Sequence, residues 1–400
     1  MKLIIIGAGI SGLTLAAACQ QIGMEVKVYD KAKQLENIGG GVLLWPHGQR
    51  FLDWLGLSQC LNAHQIKINA CHLYGSQNQK IFHEDCASLF NLLGGSILPI
   101  DRSILQKELY DQLSENTVIL NKCCTQITST QEQATAYFSD GTEESADLII
   151  GADGLYSVAR QYVNPDADLQ YTGYCWFGGV THQQYAPGFP VNECVTFASL
   201  SKMFIVWPTQ GQRLMWYVPV KMPLNQYIIN DSDKLHEVCK DWHPDITSVI
   251  SAPKSAQSFY LPIFTALPPQ QITHKRVVLI GDAAHTLGPI LGQGASQAIE
   301  DAYLLFNCLI NIHDELSEVL LHYQNLRLDK YKKLAKLENE SVEVMINDDE
   351  KMLLEFETQA KEMSLAEMYE RLIPLVDEEA CLQLAKATTE ITEDQSVALD

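Results

Sequence analysis

Residues 2–30 read KLIIIGAGISGLTLAAACQQIGMEVKVYD, and this stretch decides how the chain begins to fold. The apolar run 2–6 is typical of a buried parallel strand. The Ala-rich run 13–22 predicts a helix, and Gly23 suits its C-terminal cap. The alternating residues 25–30 predict a second strand. Strand, glycine turn, helix and strand in this order indicate the start of a βαβ unit in an α/β fold.

Three glycines lie in the predicted turn between the first strand and the helix. Gly7 permits the tight turn, Gly9 lets a pyrophosphate approach the backbone, and Gly12 lets the helix pack closely on the strand. The start of the helix offers free N–H groups to phosphate. Asp30, at the end of the second strand, is placed to accept hydrogen bonds from a ribose. The pattern predicts a dinucleotide site and leaves NAD and FAD open; the alternative is a tight turn without a ligand.

The composition excludes several classes of protein. With 400 residues the chain is long for one domain, and 46% hydrophobic residues suffice for a large core. A net charge of −21 argues against nucleic acid and anionic membranes as partners. The apolar run Leu3 to Ile6 is far shorter than the roughly 20 residues of a membrane helix, so we expect no membrane span and no export signal.

The cysteine pattern points to a reducing compartment. Eleven cysteines without a CxxC pair predict reduced thiols, a cytoplasmic location and no metal site.

The middle of the chain changes character. Residues 171–272 are rich in aromatic residues, Pro and β-branched residues, which predicts a mainly antiparallel sheet. The α/β pattern returns at Val277–Ile280, and a helix is predicted from about Gly294 to Ile312.

Two later motifs decide between the dinucleotides. One is DLIIGADGLYSVAR at 147–160; the other is GDAAH at 281–285, followed by Pro289, Gly292-Gln293-Gly294 and Glu300-Asp301. With these, residues 1 to about 335 resemble the single-component FAD-dependent aromatic hydroxylases of the para-hydroxybenzoate, salicylate and urate hydroxylase type. The motifs occur in the order and spacing of that family.

The resemblance implies a fold and a set of domains. It implies an α/β protein with a Rossmann-like FAD-binding domain, an inserted mainly antiparallel β-sheet substrate domain and a helical C-terminal region. The expected ranges are 1–70, 96–170 and 273–335 for the FAD-binding domain, 71–95 and 171–272 for the substrate domain, and 336–400 for the acidic C-terminal region.

The resemblance also implies which residues bind FAD. The ADP half would contact the first glycine motif and Asp30, Arg102 would lie near the ribityl and phosphate region, and Asp282 would contact the ribityl chain. The implied cofactor-binding residues are Gly7, Gly9, Ser11, Gly12, Asp30, Gly41, Arg102, Asp153, Gly154, Gly281, Asp282, Pro289, Gly292 and Gly294.

Some of these residues have simpler interpretations. Asp282 is also suited to capping the next helix, and Arg102 to starting one. Arg160 is an ion-pair candidate for a local acid. His285 is a structural residue or a ligand.

The implied activity is hydroxylation of a small aromatic or heteroaromatic substrate with NADPH or NADH and O₂ through a C4a-hydroperoxyflavin. The cofactor carries this chemistry, so no catalytic acid or base is assigned. Without a second GxGxxG we expect no separate NADPH domain and a transient docking of the nicotinamide over the flavin. The alternatives are a flavin halogenase, a prenyl-chain reductase and a non-enzymatic lipid carrier of the same fold.

Residues that orient the substrate are harder to predict. His47, Arg213 and Tyr217 are candidates, and His182 is another polar residue of the same sheet. The arginine and tyrosine of a urate-type site align with Met203 and near Met215, which disfavours urate. The tryptophans suit either a core or a stacking site. Oligomeric state is left open.

The C-terminal segment is strongly acidic. From Glu338 onward it holds 18 Asp/Glu and four Lys/Arg. Apolar residues at helical spacing, such as Met352, Phe356 and Met363, predict helices. A solvated acidic face is the simplest interpretation; a cover for the FAD domain, self-association and a basic partner are the alternatives.

Overall fold

The computed structural model describes residues 1–35, 40–224, 232–240, 242–252, 259–310 and 315–376. The end of the predicted 294–312 helix and the acidic residues after 376 lie outside these ranges. The strands are β1 Lys2–Ile6, β2 Glu25–Tyr29, β3 Gly41–Leu44, β4 Ala70–Tyr74, β5 Lys80–Asp85, β6 Leu98–Asp101, β7 Val118–Ile119, β8 Cys124–Ser129, β9 Ala134–Phe138, β10 Glu143–Ala146, β11 Leu148–Gly151, β12 Leu169–His182, β13 Glu193–Ser199, β14 Lys202–Thr209, β15 Arg213–Lys221, β16 Phe259–Ala266, β17 Thr273–His274 and β18 Val277–Leu279. The helices are α1 Ile10–Gln21, α2 Pro46–Trp54, α3 Ser58–His64, α4 Ala87–Leu92, α5 Arg102–Asp111, α6 Val158–Val163, α7 Ser232–Cys239, α8 Pro244–Ile250, α9 Gly294–Ile310, α10 Leu316–Met345, α11 Glu350–Glu362 and α12 Leu365–Tyr369.

The predicted βαβ start is confirmed. β1 and β2 pair in parallel, with Ile4 opposite Lys27. Residues Ile10 to Cys19 of α1 are all buried, which explains why this helix is made of small and apolar residues without a polar face. Gly23 has φ +79° just after α1, a conformation that favours glycine and ends the helix.

A six-stranded sheet positions the predicted dinucleotide site. Its order is β17-β18-β11-β1-β2-β7, and only the edge pair β17–β18 among these described strands is antiparallel. The chain crosses from one side of β1 to the other, because β2 and β11 flank it. In sheets of this kind ligands bind at such a crossing point, beyond the carboxyl ends of the strands.

A second sheet is the mainly antiparallel one predicted from the aromatic-rich region. Its seven strands have the order β16-β12-β15-β14-β13-β4-β5, and β13 pairs with β4 in parallel. One face packs on α7 and α8 through residues such as Phe204, Val218 and Ile246. The other face carries Trp176 and Tyr217 and looks towards α10–α12. The remaining strands form two smaller sheets, one of β8, β9 and β10 and one of β3 and β6.

The C-terminal region forms packed helices. α10 crosses the predicted domain boundary at 335/336 without a break. Leu353 and Ala360 of α11 are buried against Leu73 and Ile81 of the seven-stranded sheet. The buried carboxylate of Glu357 accepts hydrogen bonds from the β4–β5 turn. α11 is therefore part of the fold as well as a carrier of exposed acidic residues.

Candidate active site

A cavity of about 1900 Å³ lies between the two large sheets. It begins at the carboxyl ends of β1, β2 and β11 and reaches the seven-stranded sheet and α10–α12. Sites for one small molecule usually measure roughly 300–1,000 Å³, so this cavity has room for a dinucleotide and a substrate. Twelve of the fourteen predicted cofactor-binding residues line it; Gly12 and Gly281 do not.

The three glycines of the first motif have different surroundings. A Cβ on Gly7, at φ +112°, would lie 2.2 Å from the Ala152 carbonyl oxygen, and one on Gly12 would lie 2.1 Å from the Gly7 oxygen. These two glycines allow close backbone packing. A Cβ on Gly9 would meet nothing within 4 Å. Gly9 therefore faces open space, where phosphate can approach the chain.

The start of α1 fits an anionic group. No side chain caps this helix, and its first turn contains no acidic residue. Its first N–H groups and the positive end of its dipole are thus left for a ligand. The residues present therefore fit the pyrophosphate of a dinucleotide.

Asp30 is held at the rim of this cradle. Its Oδ2 accepts a hydrogen bond from the Ala8 N–H at 2.7 Å, and its Oδ1 accepts one from the Ala32 N–H at 2.8 Å. Each carboxylate oxygen keeps a further acceptor position. Asp30 can therefore receive ribose hydroxyls without moving.

Cations gather in the same half of the cavity. Lys31, Lys33 and Arg102 line it, although the chain as a whole carries a charge of −21. Arg102 begins α5, as the simpler interpretation expected, and its guanidinium forms no ion pair with any residue that the structure describes. A cation that has no ion pair among the described residues, beside a phosphate cradle, suits a pyrophosphate.

The two later motifs meet through Arg160. This buried side chain donates to the Asp282 carbonyl oxygen at 2.9 Å and to the Leu155 carbonyl, so its partners are carbonyls and no ion pair with a local acid forms in the described chain. Asp153 lines the cavity, but its carboxylate accepts from Ser157 and from the Val158 N–H at 2.7 Å. Its side chain thus supports the start of α6, and the adjacent Gly154 offers backbone. The Asp282 side chain is exposed to the cavity.

The loop 288–294 lies on the cavity between the cofactor and substrate halves. Buried Glu338 of α10 holds it by accepting from the Ile290 N–H at 3.0 Å and the Leu291 N–H at 3.1 Å. Burial raises the pKa of Glu338 to about 7, against hydrogen bonds that lower it. Sequence reasoning missed Glu338, because one glutamate among many carries no signal of a partner 47 residues away.

Behind this loop lies a buried polar network around Asp301. The Gly281 N–H donates to Oδ2 at 2.7 Å, His285 Nε2 lies 2.9 Å from Oδ2, and Arg327 Nη2 lies 2.6 Å from Oδ1. Burial alone would raise the pKa of Asp301, but Arg327 and His285 hold it below its ordinary value. His285 therefore has the structural role that was one of its two interpretations.

The structure places one of the three substrate-orienting candidates on the cavity. Tyr217 lines it and donates to the Gly41 carbonyl at 3.0 Å. Arg213 is not among the lining residues, because its Nη1 pairs with Asp101 Oδ2 at 2.8 Å. His182 lies opposite Arg213 on β12, where its ring accepts from the Gln184 N–H.

His47 is also absent from the cavity lining. It is buried with Nε2 3.7 Å from Glu300, and burial lowers its pKa to about 3 although Glu300 opposes this. A histidine with that pKa stays neutral near pH 7. The structure thus gives His47 a packing environment and does not place this substrate-orienting candidate on the cavity.

The substrate half of the cavity is mostly apolar. Trp45, Trp176 and Trp207 line it, whereas Trp216 belongs to the core on the other face of the sheet. Met203 also lines it, at the position where a urate-type site would carry arginine. The tryptophans are therefore divided between core and cavity.

A group of possible metal ligands was not anticipated from the sequence. His72, His83 and Glu193 come from three neighbouring strands, and their ligand atoms lie within 4.8 Å of one another. His72 stacks on Tyr74, which in turn stacks on Phe197 of the face that packs on α7 and α8. His72 also lines the cavity, beside Leu73 and Phe82, so this group adjoins the apolar half of the cavity.

Comparison with known proteins decides the family. Residues 1–337 match the family model described as FAD binding domain. The chain belongs to this family. A 3-amino-4-hydroxybenzoate 2-monooxygenase of Streptomyces cremeus is 30% identical over 336 residues, which are 82% of this chain and 84% of that protein. An FAD-dependent urate hydroxylase of Klebsiella pneumoniae is 28% identical over 344 residues, 84% of this chain and 88% of that one.

A solved structure agrees. The crystal structure of Klebsiella pneumoniae HpxO complexed with FAD and uric acid is 25% identical, with a TM-score of 0.84 over 94% of this chain and 95% of that chain. The relatives are FAD-dependent aromatic hydroxylases and monooxygenases. The predicted family, the fold class and the FAD cofactor are confirmed, and the chain is an oxidoreductase of this kind.

Within the described ranges, no helix has both the length and the hydropathy to span a bilayer.

Proposed function

We propose that this protein uses NADPH or NADH and O₂ to hydroxylate a small aromatic or heteroaromatic substrate. In the overall reaction a substrate C–H, O₂, NAD(P)H and a proton give the hydroxylated substrate, NAD(P)⁺ and water. The observation that carries the proposal is the continuity of the cavity. Its glycine and Asp30 cradle at one end and its aromatic-lined sheet at the other share one space, with the loop 288–294 between them.

FAD supplies the redox chemistry and the oxygen activation when it is bound. The chain's own residues bind and orient. The start of α1 and Asp30 hold the ADP half, Arg102 neutralises phosphate charge, and the N-terminus of α9 favours negative charge that develops on the ring. This proposal includes the route of oxygen transfer that the resemblance implies. It also includes the docking of the nicotinamide over the flavin.

The sheet and the C-terminal helices exclude water from the substrate. Tyr217 remains a protonated donor, since burial raises its pKa. Its hydroxyl is already bonded to the Gly41 carbonyl, so it holds the start of β3 and need not transfer a proton.

The test begins with the absorption spectrum of the purified protein. Flavin bands should be present or should appear after reconstitution with FAD. NADPH and NADH oxidation is then followed with phenols, aromatic acids, purines and polyenes, under ¹⁸O₂. We expect one class to stimulate oxidation and to gain one ¹⁸O atom. Flavin without stimulated oxidation would favour a halogenase or prenyl-chain reductase, and failure to bind FAD would contradict the proposal.

A further inference from the structure

The last described part of the chain forms one side of the cavity. We call this side the C-terminal wall; it consists of the lining residues Phe356, Ala360, Met363, Met368, Tyr369 and Leu372. They come from α11, the residue that follows it, α12 and the turn after α12. The family model ends at residue 337, so the wall lies outside the part of the sequence that defines the family.

The wall faces the edge of the seven-stranded sheet. Ala360 of the wall and Leu73 of the sheet pack in one buried cluster, and beside this contact Phe82 and Ile205 line the same cavity opposite the wall. The ring of Tyr369 packs 5.8 Å from that of Trp45, which joins the wall to the aromatic end of the cavity. The space between wall and sheet is therefore a continuation of the substrate half.

This space offers no free charge to a ligand. The charged or titratable side chains of the described chain that line it are Arg371, Glu340 and His72. Arg371 pairs with Glu340, and His72 pairs with Glu193. The neighbouring Cys194 thiol and burial keep the Cys71 pKa well above its ordinary value, so this lining thiol stays neutral. The remaining cations on the cavity belong to the dinucleotide half, and Arg213 is engaged by Asp101.

A carboxylate or urate anion would lose its hydration here without gaining an unpaired cation as a partner among the described residues. Apolar surface, by contrast, gains by leaving water. Resting on the proposed function, we propose that the space between the C-terminal wall and the sheet binds the apolar substituent of an uncharged aromatic substrate. The substrate class is thus alkyl- or aryl-substituted phenols and related neutral rings, with the reacting ring next to the loop 288–294.

The size of the effect follows from the burial of methylene groups. Each buried methylene strengthens binding about fourfold. Four buried methylenes of a hexyl chain should therefore lower Kd roughly 200-fold relative to the unsubstituted ring.

The experiment measures binding without turnover. Holoprotein with a measured FAD content is titrated with phenol, 4-hexylphenol, 4-hydroxybenzoate and urate, and the flavin absorption change gives each Kd, with calorimetry as a second readout. We expect 4-hexylphenol to bind at least 100-fold more tightly than phenol, and both anions to bind more weakly than 4-hexylphenol.

Two substitutions on α11 supply a matched pair. Phe356 lines the cavity, whereas Leu354 is 50% exposed and is not a lining residue. Phe356→Glu should weaken 4-hexylphenol binding at least tenfold and leave phenol and FAD unchanged; Leu354→Glu should change none of these. Met368→Glu, on α12, repeats the test if Phe356→Glu lowers the unfolding temperature.

The outcomes are separable. Equal Kd values for phenol and 4-hexylphenol, tighter binding of either anion, or equal effects of Phe356→Glu and Leu354→Glu would overturn the inference while FAD binding and the proposed function stand. A protein that does not retain FAD would overturn the proposed function, and this inference with it.

Discussion

The substitutions Gly7→Ala and Gly9→Ala, made one at a time, should have different effects: the first on the stability of the fold and the second on FAD binding. The two glycines are two residues apart in the same turn, but their surroundings differ. A Cβ on Gly7 would lie 2.2 Å from the Ala152 oxygen and 2.6 Å from its carbonyl carbon, at φ +112°. Both atoms belong to the backbone that follows β11, so β1 and β11 would have to separate. A Cβ on Gly9 would meet nothing within 4 Å.

The magnitude can be worked from these contacts. A non-glycine residue at positive φ costs about 1–2 kcal/mol, and overpacking against a rigid neighbour about 1–3 kcal/mol more. Gly7→Ala should therefore lower the free energy of unfolding by about 2–5 kcal/mol, a large part of the roughly 5–15 kcal/mol that domains possess. Gly9→Ala, at an ordinary φ of −76°, should change it by less than about 0.5 kcal/mol.

The assay uses two measurements on each variant. Urea unfolding of the FAD-free protein gives the stability, and quenching of flavin fluorescence gives the Kd for FAD. We expect Gly9→Ala to keep native stability and to bind FAD at least tenfold more weakly, because its methyl group occupies the phosphate approach. Gly9→Ala that binds FAD like the native protein, or that loses as much stability as Gly7→Ala, would refute the reasoning.

Three further predictions concern buried charges. The pKa of Glu338 is raised from the ordinary 4.5 to about 7. The free energy of unfolding of the native protein should therefore fall by up to about 3 kcal/mol as the pH rises from 4.5 to 7. Urea titrations across that range should show no such fall for Glu338→Gln. Arg327→Met leaves Asp301 without its buried partner and should cost about 3–5 kcal/mol in the same assay, and a cost below 1 kcal/mol would contradict the network. The pKa of His47 is lowered to about 3, so native stability should fall as the pH drops from 6.5 towards 3; His47→Gln should show a shallower acid limb by circular dichroism, and an unchanged limb would speak against the buried neutral ring.

The cofactor half could be predicted from the sequence because its signals are local. Gly7, Gly9 and Asp30 act within one βαβ unit, where neighbours in sequence are neighbours in space. The strand pattern likewise predicted the aromatic sheet, because alternation and β-branched residues report directly on strands.

The substrate half could not be predicted in the same way. Arg213 and Tyr217 are both on β15, but four residues of strand span about 13 Å, and Arg213 ends beside Asp101, away from the cavity. Glu338 and the C-terminal wall act through contacts between distant parts of the chain. Helical apolar spacing predicted the helices but not what their apolar face would meet.

The attachment of α11 and α12 has a consequence for engineering. Their polar anchors are few: Glu357 accepts from the Ser76 N–H and the Gln79 amide at 2.7 Å each, and the Leu365 N–H donates to Glu84 at 2.6 Å. All three partners lie on the β4–β5 hairpin, far from the glycine cradle. The hairpin and the two helices thus form a unit that can be exchanged between homologues. Grafting them together from one homologue into another should transfer the ligand preference and leave the residues that hold the flavin unchanged.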